Sequence, residues 1–158
     1  MIPYFAIGLY AGLRTSELLE LEWNDISQTY IRVTPSVAKS RRSRLVPISD
    51  TLKRLIEPVR QASGKLVTGS ADHVRRKVIA VAKEAGIKTW PHNGMRHSWA
   101  SYYLAATNDA AKTSAHLGHA DVGVVYEHYR EVVTPEAAEA YFKADLDPKP
   151  ATNQQKQT

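Results

Sequence analysis

The chain opens in an apolar run, MIPYFAIGLYAGL, dense enough in large hydrophobics to read as a buried helix entered partway along, which predicts further chain upstream. A GLR turn follows. Thr15 or Ser16 then caps a short helix, TSELLELEW, whose Leu18, Leu19 and Leu21 lie near one side until Asn24-Asp25 breaks the pattern. Next, TYIRVTP and RLVPIS are alternating, β-branched runs separated by Ser, Arg and Lys, the pattern of a hairpin with a long basic tip. From Ser49 the period turns helical: Leu52, Leu55, Ile56 and Val59 share a face, and Pro58 bends or ends that helix. Ser70 or Asp72 starts another, in which Val74, Val78, Val81 and Ala85 recur before Gly86 closes it. Helical stretches follow at 93–106 and 109–117, and Thr134-Pro135-Glu136 gives a last capped start with Pro at the first helical position. Beyond Asp145 the stretch DPKPATNQQKQT has no apolar periodicity and reads as a disordered tail. The pattern predicts a mainly α fold with a small β-hairpin or sheet at one edge, a single domain over residues 1–145 and a tail over 146–158, without internal repeats.

Length and composition agree with one core: 158 residues, 43% hydrophobic and 23% charged, are those of an ordinary globular domain. A net charge of +5 and a sequence pI near 9.5 favour an anionic partner such as nucleic acid. With no cysteine, a disulfide framework, a thiolate zinc site and a cysteine nucleophile are all excluded. No apolar run reaches the roughly 18–20 residues that cross a bilayer, and no basic-then-apolar leader opens the chain, so the expectation is a cytosolic protein of the nucleoid space, away from membranes.

Candidate chemistry gathers in four segments. The run KSRRSR, from Lys39 to Arg44, crowds basic residues at the hairpin tip, where they serve either a solvated turn or phosphate contacts from Arg41, Arg42 and Arg44. In GLRTSEL, Arg14 stands at a turn directly before a helix, with Glu17 three residues on, placed to pair with it and orient it. HNGMRHSWASYYL puts Arg96 and His97 on a helix whose Met95, Trp99 and Tyr103 read as core, with His97 read as a structural histidine. LGHADVGVVYEHYREVV supplies His119 and two tyrosines, Tyr126 and Tyr129. His116 and His119 are i and i+3, but no Cys and no carboxylate pair nearby completes a metal site.

Taken together, GLRTSELLELEW, K-S-R-R-S-R-L-V-P-I, R-H-S-W-A-S and LGH followed ten residues later by Tyr resemble the tyrosine recombinase, or phage integrase, family from about Ile7 to Phe142. The resemblance covers that family's catalytic domain and not its usual N-terminal DNA-clamping domain. It implies a site-specific DNA recombinase that cleaves and rejoins double-stranded DNA through a 3′-phosphotyrosyl link to Tyr129, with no nucleotide cofactor and no metal. It further implies that Arg14 and Arg96 grip the non-bridging phosphate oxygens, that Lys39 protonates the leaving 5′-oxygen, and that His119 supports the phosphate and nucleophile. Tyr126, one helical turn from Tyr129, is the rival nucleophile or a packing aromatic. The terminal helix TPEAAEAYF either packs on its own domain, leaving the isolated chain a monomer, or docks on a neighbouring protomer to couple the sites of a homo-tetramer on DNA.

One position departs from the family. Its pattern has His three residues before the second arginine, where this chain has Asn93, with His92 one place earlier. Either Asn93 fills the position, donating an amide hydrogen bond without acid–base work and leaving that work to Lys39 and His119, or a local shift brings His92 into the site; the helical spacing to Arg96 favours Asn93. The departure also leaves open a second reading, a catalytically weakened module that binds DNA or Holliday junctions.

Overall fold

The computed structural model describes residues 1–35, 43–119, 121–129 and 133–144, apart from the side chains of Tyr126 and His128. Lys39, Arg41, Arg42 and the tail therefore lie outside the described residues. The elements run α1 (Ile2–Ala11), α2 (Thr15–Glu20), β1 (Tyr30–Val33), β2 (Arg44–Pro47), α3 (Asp50–Ile56), α4 (Ala71–Glu84), α5 (Gly94–Thr107), α6 (Ala110–Leu117), α7 (Gly123–Tyr129) and α8 (Pro135–Lys143), with short 3-10 turns at Trp23–Asp25 and Glu57–Val59. The mainly α architecture with one small hairpin is the one the periodicity predicts.

Helix α1 is buried on several faces, at Tyr4, Ile7, Gly8, Tyr10 and Ala11, because it runs through the middle of the domain with α3 and α5 packed against it. Gly8 lets α5 approach closely: a Cβ there would lie 2.5 Å from Met95 Sδ. The hairpin pairs Tyr30 with Pro47 through Val33 with Arg44, antiparallel. Its alternation sends Ile31, Val33 and Val46 inward and leaves Tyr30 and Leu45 exposed.

Two hydrophobic clusters result. The larger gathers α1, α2, the hairpin, α3 and α4 with Met95; the smaller gathers Trp99, Ala100, Leu104, Ala110, Leu117, Val125 and Tyr129. Helix α5 feeds both, so Arg96, lying between Met95 and Trp99, falls at their seam. Helix α8 closes the other side of α5. Tyr141 stacks on Tyr102 at 4.1 Å and Tyr10 at 5.0 Å, and its hydroxyl donates to the Leu9 carbonyl.

Several boundaries differ from the sequence expectation. Arg14, not Thr15 or Ser16, is the N-cap of α2, because the Glu17 carboxylate reaches back to accept the Arg14 backbone N–H at 2.8 Å. On α4 the buried residues are Val74, Val78 and Ala82, whereas Val81 and Ala85 are exposed; the i, i+4 row faces the core and Val81 falls off it. Ser70 caps α4, Thr134 caps α8 and Glu57-Pro58-Val59 end α3 in a 3-10 turn, each within the expected pattern.

Candidate active site

The site is built around a buried carboxylate. Glu17 is wholly inaccessible to solvent, a position an acid tolerates only with compensating charge. Its Oε1 accepts from Arg14 Nη1 at 3.0 Å and Arg44 Nη1 at 2.9 Å, and its Oε2 accepts from Arg44 Nη2 at 2.7 Å. Burial pushes the Glu17 carboxyl up, but the hydrogen bonds and charges of Arg44 and Arg14 outweigh it and hold the group below its usual range. Arg44 also donates from Nε to the His116 carbonyl at 2.8 Å. This corrects its placement: the Arg44 side chain, at the start of β2, is packed inward and ties the hairpin to α2 and α6.

Arg96 enters from the seam of the two clusters. Its Nη1 donates to the Gly12 carbonyl at 3.0 Å and its Nη2 to the Leu117 carbonyl at 2.7 Å, which joins the ends of α1 and α6. Gly12 takes a left-handed conformation, φ 65°, that turns this carbonyl toward Arg96. Burial presses the Arg96 guanidinium down to about 9, and repulsion from Arg14 and Arg44 adds to the effect against the attraction of Glu17, yet it remains charged at neutral pH. Among the described residues, Arg14 and Arg44 pair with the one carboxylate of Glu17, whose charge also acts on Arg96, so three guanidiniums face a single negative charge.

His119 and Tyr129 complete the group. Gly118, at φ 67°, ends α6 and delivers His119 so that Nε2 lies 2.9 Å from Arg96 Nη2. Arginine only donates, so Nε2 accepts and the ring proton sits on Nδ1, which is buried without a partner among the described residues. Burial, then Arg96, Arg14 and Arg44, push His119 down to about 4, which leaves it neutral near pH 7. On α7, Val125 is fully buried, and the i+4 spacing sets Tyr129 on the same inward face. The Tyr129 hydroxyl lies 2.8 Å from Nδ1 of His97, with the ring centroids 5.7 Å apart. Burial raises the phenol while the charges of Arg96 and Arg14 oppose the rise, which places Tyr129 within reach of both guanidinium fields.

Residues scattered over 115 positions of sequence, from Arg14 to Tyr129, are therefore brought together, and the structure includes one member the sequence reading set aside. His97 is exposed and faces Tyr129, not a structural histidine inside its helix. The available signal was helical phase: Met95, Trp99 and Tyr103 form the packed row, and His97 stands off it. Asn93 is the N-cap of α5 in the left-handed region, φ 52°, and its Oδ1 lies 3.4 Å from the Thr15 backbone N–H and 3.3 Å from Thr15 Oγ1, beside Arg14. His92 is exposed.

A family model for the phage integrase family matches residues 3–135. The tyrosine recombinase XerC of Pseudomonas aeruginosa is 34% identical over 137 residues, covering 75% of this chain and 44% of that protein. The chain thus spans less than half the length of this relative. Among solved structures, the catalytic domain of bacteriophage HP1 integrase superposes with a TM-score of 0.66 at 23% identity over 94% of this chain and 84% of that one. The XerA recombinase superposes with a TM-score of 0.67 at 20% identity over 90% of this chain and 55% of that one. These likenesses carry the same fold, and with the family match over most of the sequence they establish that the chain belongs to the phage integrase family.

Proposed function

We propose that this chain is the strand-cleaving and rejoining domain of a site-specific DNA recombinase, with Tyr129 as nucleophile. The observation that carries the reading is the meeting of Arg14, Arg96, His119 and Tyr129 from four separate elements around a locally cationic point. A phosphodiester gains negative charge as it becomes five-coordinate, and fixed guanidiniums stabilise that charge without reorganising. Tyr129 Oη attacks phosphorus, the bond to the 5′-oxygen breaks, and a 3′-phosphotyrosyl link conserves the bond energy for rejoining, so the exchange consumes no nucleotide. Arg14 and Arg96 hold the non-bridging oxygens, with Arg96 orienting His119 beside them. Glu17 and Arg44 hold Arg14 in place. Lys39 protonates the leaving oxygen, and Arg41, Arg42 and His92 contact the duplex. Residues 1–145 form the catalytic domain of a longer recombinase in this reading, and α8 exchanges between protomers to build a tetramer on DNA.

The test is covalent capture. The chain is incubated with duplexes carrying a randomised segment nicked so that the cleaved fragment diffuses away, and detergent-stable protein–DNA adducts are sequenced. Adducts in the wild type and none in Tyr129→Phe are the expected result; adducts that persist in Tyr129→Phe, or their absence from the wild type, overturn the reading.

A weakened, DNA-binding role has one observation in its favour. Asn93 stands where the family pattern has His, and its carbonyl oxygen faces Thr15, leaving only amide N–H groups for a phosphate. Asn93→His then accelerates adduct formation; an unchanged rate shows that the position does no acid–base work here.

A further inference from the structure

A phenol at neutral pH carries its proton, so a tyrosine that attacks phosphorus has to give that proton up, and neither Glu17 nor His119 is placed to take it. Glu17 has its oxygens bound to Arg14 and Arg44. His119 presents to Arg96 a nitrogen whose lone pair is already engaged, and its other ring nitrogen is the protonated, buried one. His97 is placed against the phenol itself. Its Nδ1 is 2.8 Å from the Tyr129 hydroxyl, and the residue is exposed, so the imidazolium formed on protonation is solvated on its outer side.

From this geometry we infer that His97 is a catalytic residue, the general base whose Nδ1 takes the Tyr129 phenolic proton during cleavage and returns it during rejoining. The inference rests on the reading of Tyr129 as nucleophile. In cleavage the Oη–P bond forms, the P–O5′ bond breaks, the phenolic proton passes to His97 Nδ1, and the 5′-oxygen takes a proton from Lys39. In rejoining, the 5′-hydroxyl gives its proton back to Lys39 and attacks phosphorus, the P–Oη bond breaks, and Tyr129 recovers its proton from the same nitrogen. The step uses the tautomer with its proton on Nε2, in which Nδ1 accepts from the Tyr129 hydroxyl. Sequence adjacency serves the step. Arg96 and His97 are successive on α5 and diverge by about 100° around the helix, so one helix supplies a buried cation for the phosphate and an exposed base for the nucleophile.

Two measurements separate this inference from the reading beneath it. Nitrogen-15 NMR of the free chain reports the His97 tautomer without any reaction: an unprotonated Nδ1 whose shift changes in Tyr129→Phe is expected, and a protonated Nδ1 overturns the inference. Single-turnover capture on a trapped site then compares His97→Ala and His97→Asn with the wild type. General-base loss is expected to slow adduct formation about 10²–10⁴-fold in both variants, with DNA affinity and melting temperature unchanged. Asn presents an acceptor oxygen to the hydroxyl but takes no proton, so recovery in His97→Asn to within about threefold of the wild type reduces His97 to positioning and overturns the proton transfer. Substrate with sulfur for the 5′-bridging oxygen needs no acid at the leaving group; there Lys39→Ala is expected to recover, whereas His97→Ala stays slow. A His97→Ala defect erased by sulfur places the residue on the leaving-group side and overturns the assignment. If the wild type forms no adduct, the nucleophile reading falls and takes this step with it; if the wild type is active and His97→Ala matches it, this step alone fails.

Discussion

At the residue scale the site is an exercise in charge bookkeeping, and Glu17 is its fixed point. Removing its charge leaves the mostly buried Arg14 and Arg44 guanidiniums side by side without the carboxylate between them. Glu17→Gln is expected to cost about 3–5 kcal/mol of stability, the penalty for breaking a buried ion pair from one side, read as a lowered urea midpoint. His119 adds a pH dependence of definite sign. Its folded value near 4 lies below the ordinary 6.5, so between those values the unfolded chain binds a proton the folded chain refuses. Stability is therefore complete above about pH 6.5 and declines as pH falls toward 4. His116 is pushed the same way by burial, Lys112 and Arg44, so His119→Gln is expected to flatten the slope of urea midpoint against pH only in part. Glu17, held below its ordinary 4.5, adds a loss of the same sign that begins as pH falls past 4.5.

At the scale of elements, the ends of helices do the positioning. Gly12 ends α1, offers its carbonyl to Arg96, and leaves no room for a side chain: a Cβ there would lie 2.5 Å from Trp99 Cε3. Gly12→Ala combines left-handed strain with overpacking, an expected loss of about 2–5 kcal/mol by denaturant titration, together with slower adduct formation because Arg96 shifts with its acceptor. The elements themselves were legible because periodicity is a local property. Leu52, Leu55 and Ile56 announced α3, and the alternation of Ile31 and Val33 announced the hairpin. The same rule mistook the phase of α4, since Val81 is as apolar as Val78 and only the packing selects Ala82. What pattern could not carry was pairing across long distances. Arg14 and Glu17 are three residues apart and readable as a pair, but Arg44 is 27 residues from Glu17 and sits in a run of like residues, so nothing local distinguished it from its neighbours at the tip. His97 was passed over because a histidine next to a core row looks structural until α7 brings a hydroxyl against it.

For the whole molecule, the packing of α8 bears on how protomers meet. Here it lies on its own domain: Ala138 is fully buried, Tyr141 is stacked between Tyr10 and Tyr102, and Thr51 donates to the Phe142 carbonyl. If α8 instead docks on a neighbour, it makes these same contacts there, so the contact energies of the two arrangements nearly cancel and the local concentration of protomers decides between them. In dilute solution the intramolecular arrangement wins. On a duplex with two abutting sites, protomers are held at high effective concentration and exchange becomes competitive. Light scattering is thus expected to find a monomer without DNA at micromolar concentration and assemblies of more than two protomers with it. A chain ending before Thr134 exposes the aromatic face of Tyr10 and Tyr102, so it is expected to be less stable, and also to stop at one protomer per site. If that shortened chain builds the same assemblies on DNA as the full one, α8 serves only its own domain and the contacts between protomers lie elsewhere on the surface.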